Sequence, residues 1–252
     1  MPDAIFEDPR LALLYDTFEG ERDDLPLYLD IADETGAVQV LDVGCGTGEL
    51  AVALAERGRD VVGVDPAEAS LNIARGKSTD VTWLGGDAAA AASQLPCFRA
   101  DLAVMTGNVA QVFLTDDDWQ ATLSAIHAAL RPGGHLVFET RRPDARAWQR
   151  WAQAPAVTRD VPGIGTVTGQ LTLTDVDLPL VSFRHTYRFP DGSTLASDST
   201  LRFRDPDGIA ANLHSAGFDV TDVRDAPDRP GMEYVFVARA DAAATVDTAA
   251  RT

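Results

Sequence analysis

Two cysteines in 252 residues, Cys45 and Cys97, are too few for a disulfide framework, so a reducing cytoplasm is the expected setting. No Cys/His cluster has metal-ligand spacing, and no metal is expected. No apolar run is long enough to cross a bilayer. The first residues, Met1 to Asp8, carry neither a basic stretch nor an apolar one, so no signal peptide is expected. Basic residues are scarce, with 21 Lys and Arg against 39 Asp and Glu, a formal charge of −18. Such a surface repels phosphate backbones and anionic lipid, which argues against nucleic acid and membrane partners. There is no internal repeat.

What remains is an ordinary soluble composition, 45% apolar and 24% charged, able to bury a sizeable core. Residues 8–36 predict two helical pieces, the first with Leu11, Leu14, Tyr15 and Phe18 at helical spacing. The second opens near Pro26 and stops at Gly36. From Val38 short apolar strands alternate with helices. Strands are expected at 38–43, 61–64, 81–84, 102–105 and 135–139, and helices at 49–57, 67–75 and 116–130. This is the pattern of parallel β-α-β units covered on both faces. Ligands in such sheets sit at the carboxyl ends of the strands. That rule gathers Gly44–Gly48, Asp65, Asp87 and Thr106–Gln111 on one rim.

Beyond residue 155 the period changes to two. Strands at 166–174, 181–189 and 195–204 predict an antiparallel unit over about 155–205, its last two strands joined at Pro190-Asp191-Gly192-Ser193. Asp205-Pro206 caps a helix ending at Gly217, and two last strands follow at 220–223 and 234–238. Residues 241–252 hold no aromatic or long aliphatic side chain and are expected to fray.

The strongest chemical signal is Leu41-Asp42-Val43-Gly44-Cys45-Gly46-Thr47-Gly48. Glycines let the chain turn tightly from strand to helix and approach a ligand closely. The helix start that follows offers unpaired N–H groups. The spacing is G-x-G-x-G, and Glu49 stands where a dinucleotide fingerprint needs glycine, which disfavours a nicotinamide oxidoreductase. Asp65, followed by Pro66, can take both hydroxyls of a ribose or cap the next helix. Asp87 after Gly86 can accept from an adenine amino group while the Ala88 N–H donates to the ring. Asp87 can equally cap the alanine run.

Together with Gly63-Val64-Asp65, Gly86-Asp87-Ala88 and Leu130-Arg131-Pro132-Gly133-Gly134, this turn makes residues 38–140 resemble the core of the class I (Rossmann-like) S-adenosylmethionine-dependent methyltransferases. The resemblance implies a doubly wound, mostly parallel seven-stranded α/β sheet with its last strand antiparallel. The antiparallel insertion would then cover a small acceptor. It implies that the methionine part of S-adenosylmethionine lies along Asp42 to Gly48, the ribose at Asp65 and the adenine at Asp87. Thr106, Gly107, Asn108 and Gln111 follow the fourth strand, where family members face the methyl group. The Asn/Asp-Pro-Pro-aromatic motif of nucleobase-amine methylation is absent there. Counterparts of Tyr15, Arg22 and Tyr28 often close over the cofactor, and Arg22 can pair with its carboxylate.

The expected organisation is a helical lid at 1–36, a cofactor-binding core at 37–154, the insertion at 155–205, completion of the core at 206–240, and the tail. The expected partner is a small-molecule methyl acceptor, on nitrogen or oxygen, and the protein is expected to be a monomer or homodimer. A non-catalytic cofactor-binding module is the other reading, although nothing in the motif is degraded. Alternation puts Phe183, His185, Tyr187 and Phe189 on one face. If that face covers the site, His185 is the candidate base; if it packs on the sheet, His185 is a core residue. Asp116 to Asp118 after Thr115 read as a helix cap rather than a metal site. Cys97 lies before the fourth strand, away from the rim, and no activating base is evident.

Overall fold

A computed structural model describes residues 2–241; the expected fraying of 242–252 lies outside the described residues. In chain order the first elements are α1 (Ala4–Glu7), α2 (Pro9–Ala12), α3 (Tyr15–Glu19), α4 (Leu25–Glu34), β1 (Gln39–Val43), α5 (Glu49–Glu56), β2 (Asp60–Asp65), α6 (Glu68–Lys77) and β3 (Thr82–Gly85). Then come α7 (Ala89–Gln94), β4 (Ala100–Met105), α8 (Asp116–Ala129), β5 (Leu130–Arg141) and α9 (Ala147–Trp151). The antiparallel strands are β6 (Val157–Val161), β7 (Gly165–Asp177), β8 (Leu180–Arg188) and β9 (Thr194–Arg202). The chain closes with α10 (Pro206–Ser215), β10 (Phe218–Asp225) and β11 (Glu233–Ala240).

The main sheet has seven strands in the order β10-β11-β5-β4-β1-β2-β3. β1 to β5 pair in parallel, and β11 runs antiparallel to both β5 and β10. Every residue of β4 is buried, as a strand covered on both faces requires. Alternation divides the side chains between two cores. Leu41, Val43, Ala103, Met105 and Phe138 pack under α8 and α10, while Val40, Leu102, Val104 and Val137 pack under α4 and α5. A second, four-stranded sheet has the order β6-β7-β8-β9.

Several boundaries differ from the expectations. The first predicted helix divides into α2 and α3, and a further turn, α1, precedes it; the Asp8 side chain accepts from the N–H groups of Arg10 and Leu11 and starts α2 at Pro9. Strand β5 starts at Leu130 rather than His135. Leu130 pairs with Ala100, a bulge follows, and the Pro132-Gly133-Gly134 turn lies within the strand. Strand β6 and helix α9, five residues each, are too short to announce themselves in sequence. The N-terminal region also divides in space. Helices α1 to α3 pack on the second sheet through Ile5, Leu11 and Leu14, against Val167, Tyr187 and Phe189. Helix α4 belongs to the main sheet.

Trp83 of β3 ties the glycine-rich edge together. Its ring lies where a Cβ on Gly48 or Gly63 would be, at 2.5 and 2.7 Å. Gly63 is in an ordinary strand conformation, so its need for glycine is a matter of space alone. Gly63→Ala should lower stability by about 1–3 kcal/mol through overpacking. Gly76, in α6 with nothing within 4 Å of an added Cβ, is the contrast. Gly76→Ala should raise stability by about 0.5–1 kcal/mol. Urea unfolding midpoints of the two variants check both.

Candidate active site

The rim forms where β1, β2 and β4 end. The backbone N–H groups of Gly44 and Cys45 both donate to the Val64 carbonyl, which bends the chain back towards β2. Gly44, Gly46 and Gly48 all have left-handed φ, at 73°, 54° and 86°. A Cβ on Gly44 would strike Val109 at 2.6 Å, whereas one on Gly46 would project into open space. The Asp65 carboxylate holds this bend. One oxygen accepts from Gly46 N–H and the other from Ala67 N–H, each at 2.8 Å. Each oxygen keeps a further lone pair for a hydroxyl. Pro66 follows at the strand end. Burial raises the Asp65 pKa and these two backbone bonds oppose the rise.

Asp42, on β1 directly beneath the bend, is 1% exposed. Its Oδ1 has no hydrogen-bond partner. Burial pushes its carboxyl up to about 7, Arg22 opposes the shift, and Asp65 adds to it. A buried carboxylate with an unmet oxygen is costly unless a donor or cation arrives. The Arg22 guanidinium uses Nε and Nη2 on both oxygens of Asp24, at 2.7 and 2.6 Å, and Nη2 also reaches Thr106 Oγ1 at 3.4 Å. Tyr15 places its hydroxyl 3.9 Å from where a Cβ of Gly107 would stand. Thr47 donates to Asp16 at 2.5 Å, and Lys77 bonds Asp16 and Glu49. Gly86 has φ 133°, Asp87 is exposed and accepts from Ala89 N–H, and Ala88 is buried beside it. The structure thus brings the turn, Asp42, Asp65, Thr106, Gly107, Tyr15 and Arg22 to one end of the sheet. Asp87 caps the alanine helix at the β3 end of the same rim.

Asn108 and Gln111 turn inward. Asn108 adopts φ 62°. Its N–H donates to Glu139 at 2.9 Å and its Nδ2 to Glu233 at 3.1 Å, while its Oδ1 is buried without a partner. Gln111 is fully buried and spends its amide on Arg141 and on the Arg202 carbonyl, which makes it a strut inside the wall. Tyr28 is a core residue whose hydroxyl donates to Glu139. Burial, with Glu233 and Asp24 adding, pushes the Glu139 carboxyl up to about 7 against the Asn108 N–H and Arg22. Glu233 in turn accepts from Arg229 at 3.0 Å. Sequence reasoning missed this network. Its one readable signal was Glu139, a carboxylate at the end of an apolar strand, the same kind of position as Asp65.

His185 is half-buried on β8, with Phe183 and Tyr187 on the same face at ring-centroid distances of 5.4 and 5.9 Å. Burial lowers its imidazole pKa. Thr115 caps α8 by accepting from Asp118 N–H. Among the described residues no cluster of His, Cys, Asp and Glu could hold a metal ion. No helix among them is long and apolar enough to cross a membrane.

The raised carboxyls of Asp42 and Glu139 fix a sign for stability against pH. Between their unfolded values near 4 and their folded values near 7, the folded chain holds protons that the unfolded chain has lost. Their contribution to stability therefore falls as pH rises from about 4 to about 7 and is flat above. Asp42→Asn should raise the melting temperature of the ligand-free protein at pH 8 and flatten its pH 5–8 slope. Thermal scans of the two proteins across that range check it.

Comparison with known proteins fits this geometry. Residues 40–134 match the methyltransferase domain family. A ubiquinone biosynthesis O-methyltransferase of Idiomarina loihiensis is 37% identical over 116 residues, 44% of this chain and 45% of that one. A malonyl-[acyl-carrier protein] O-methyltransferase of Serratia marcescens is 28% identical over 169 residues, 62% and 60% of the two chains. The chain thus spans about half the length of these curated relatives. The structure of the CcbJ methyltransferase from Streptomyces caelestis superposes with a TM-score of 0.75 at 24% identity, covering 92% of this chain and 96% of that one. A sugar N-methyltransferase from Streptoalloteichus gives a TM-score of 0.73 at 18% identity, covering 91% and 92%. These likenesses share the fold, and the family match covers the glycine turn, which retires the nicotinamide reading. With the bend at 44–48, the strand order and the family match in agreement, residues 40–134 form a methyltransferase domain, on the class I, Rossmann-like fold of S-adenosylmethionine-dependent enzymes.

Proposed function

We propose that the protein transfers a methyl group from S-adenosylmethionine to nitrogen or oxygen of a small molecule by in-line displacement. The observation that carries this reading is the unmet oxygen of buried Asp42 directly under the glycine bend. The donor's methionine end bears an ammonium and its sulfur a positive charge, so the group fits a buried carboxylate that lacks a donor. Gly46 leaves open space on the same bend.

In this reading Asp42 and the turn residues Gly44, Cys45, Gly46, Thr47 and Gly48 hold the methionine end. Asp65 takes the ribose hydroxyls beside Pro66. Asp87, with Gly86 and Ala88, takes the adenine. Arg22, whose Nη1 is not used by Asp24 or Thr106, receives the carboxylate beside Thr106, Gly107 and Tyr15. Asn108 shapes the rim in front of the methyl group, clamped by Glu139 and Glu233, and His185 serves as base on the acceptor side. Helices α1 to α3 and the second sheet form the cover.

The sulfonium supplies an already activated methyl group. The chain's own part is to orient the acceptor in line and keep water out, and positioning of this kind contributes about 7–11 kcal/mol. A formal charge of −18 favours a small neutral or cationic acceptor over nucleic acid or an anionic membrane.

Isothermal titration with S-adenosylhomocysteine should show micromolar binding, and Asp65→Ala should weaken it by about 10- to 100-fold, the loss of two hydroxyl contacts to a charged group. Wild-type protein that gives neither heat nor a thermal shift with S-adenosylhomocysteine overturns the reading. Mixing at pH 6.5 in buffers of different ionisation enthalpy should also reveal proton release, because a cation at Asp42 drives its carboxyl to the charged form.

A further inference from the structure

On the inner face of β8 the rings Phe183, His185 and Tyr187 follow one another along a stripe. Both ends are covered. Phe18 of α3 meets Tyr187 edge-on at 5.1 Å, and lies where a Cβ on Gly169 would be. Trp151 of α9 meets Phe183 at 5.3 Å. Between these two covers the ring of His185 pairs with Phe183 and Tyr187, and among the described residues neither ring nitrogen has a hydrogen-bond partner. The gap opens towards the rim. Tyr15 packs in the same cluster as Tyr187 and reaches Gly107, and Arg141 from the end of β5 lies 5.2 Å over the Trp151 ring.

The charges around this gap are unequal in their commitments. Asp24 is held by Arg22, and Glu233 by Arg229, Asn108 and Arg141. Glu139 is held by Tyr28 and the Asn108 N–H. Arg141 bonds Gln111 as well as Glu233. Glu19 differs. It sits one helical turn after Tyr15 on α3, so the two share a face. It forms no ion pair and no side-chain hydrogen bond among the described residues. Its charge reaches Tyr15, Tyr187 and Arg141: it adds to the rise that burial gives the two phenols and opposes the fall that burial gives Arg141. A free, exposed carboxylate at the edge of several aromatic faces, beside Asp24, Glu139 and Glu233 that are already paired, suits an alkylammonium.

We propose that the acceptor is an aliphatic amine, bound between Phe18 and Trp151 with Glu19 as its counter-ion and His185 as the base that frees its lone pair. The inference rests on the methyl-transfer reading above. The ammonium gives one proton to a ring nitrogen of His185. The neutral nitrogen then attacks the methyl carbon, a C–N bond forms, and the C–S bond breaks with its electron pair going to sulfur. The products are an N-methylammonium, S-adenosylhomocysteine and a protonated His185, so charge and atoms balance. Of the titratable groups, Tyr187 on β8 stacks on His185 at 5.9 Å, Tyr15 and Glu19 on α3 adjoin Tyr187, and Arg141 on β5 adjoins Trp151. Burial lowers its pKa, which leaves the imidazole neutral and able to accept at pH 7.

The test is labelled-methyl transfer from S-adenosylmethionine to a panel of aliphatic amines (glucosamine, tyramine, ethanolamine) beside catechol and benzoate. Transfer to at least one amine nitrogen is expected, with catechol oxygen and benzoate unmodified. Glu19→Gln should raise the amine KM about tenfold, the loss of one charge-assisted contact, with S-adenosylhomocysteine affinity unchanged. His185→Gln should lower kcat and move the acid limb of its pH profile out of the imidazole range, up towards the amine's own pKa. Normal S-adenosylhomocysteine binding with no amine methylated, or with an amine KM indifferent to Glu19→Gln, overturns the amine assignment alone. Loss of that binding in the wild-type protein removes the methyl-transfer reading itself. An acid limb that stays in the imidazole range in His185→Gln overturns the role of base.

Discussion

The site depends on one hydrogen bond pattern at the end of β2. The Asp65 carboxylate accepts from Gly46 on one side and from Ala67 on the other, so a single side chain fixes both the bend after β1 and the start of the chain towards α6. The bend could not close on itself. Three left-handed glycines within five residues remove the steric reasons for any particular path. The path is instead imposed from outside, by Asp65, by the Val64 carbonyl that takes two N–H groups, and by the Trp83 ring pressed against Gly48 and Gly63. A loop with no side chains of its own to pack is thereby made rigid, and the space at Gly46 stays open.

That rigidity comes with a burden placed directly beneath it. Asp42 and Glu139 are both buried carboxyls at the carboxyl ends of central strands, and both are driven towards neutrality in the absence of a cation. They differ in what meets them. Glu139 has a phenol and a backbone N–H, which turns it into an internal clamp. Asp42 has an oxygen with nothing. A fold selected for stability alone would place an apolar residue at position 42, as it does at Val40, Leu41 and Val43. The exception to the apolar pattern of β1 is therefore the residue best explained by a ligand.

Much of this was legible in the sequence, for a physical reason that also explains what was not. The core strands β1, β2 and β4 are runs of apolar residues between turn signals, and the glycine bend, Asp65 and Asp87 stand at their ends, where backbone geometry alone places them on the rim. Positions fixed by strand ends can be read. Contacts fixed by tertiary packing cannot. Asn108 and Gln111 follow β4 as any rim residues would, yet the first is held by Glu139 and Glu233 and the second by Arg141, from strands 30 or more residues away. Nothing local distinguishes a polar loop residue that faces a ligand from one that faces a buried carboxylate. The same holds for α3. Its aromatic spacing is that of a core helix, and only the structure shows that it packs on the second sheet and not on the first.

Helix α3 lies between the two sheets, and five residues are enough because Asp16, Phe18 and the face shared by Tyr15 and Glu19 point to different places. Asp16 accepts from Thr47 on the glycine bend and from Lys77 on α6. Tyr15 stands against Gly107 after β4. Phe18 is driven into the second sheet over Gly169, a place that no larger residue than glycine would leave open. Glu19 ends the helix with its charge uncommitted. In the proposed function these directions correspond to cofactor, methyl, acceptor wall and acceptor charge. A displacement of α3 that breaks the Asp16–Thr47 contact must also move Phe18 and Glu19. The bend and the second sheet are thus tied together through one short helix, by side-chain directions rather than by any separate hinge.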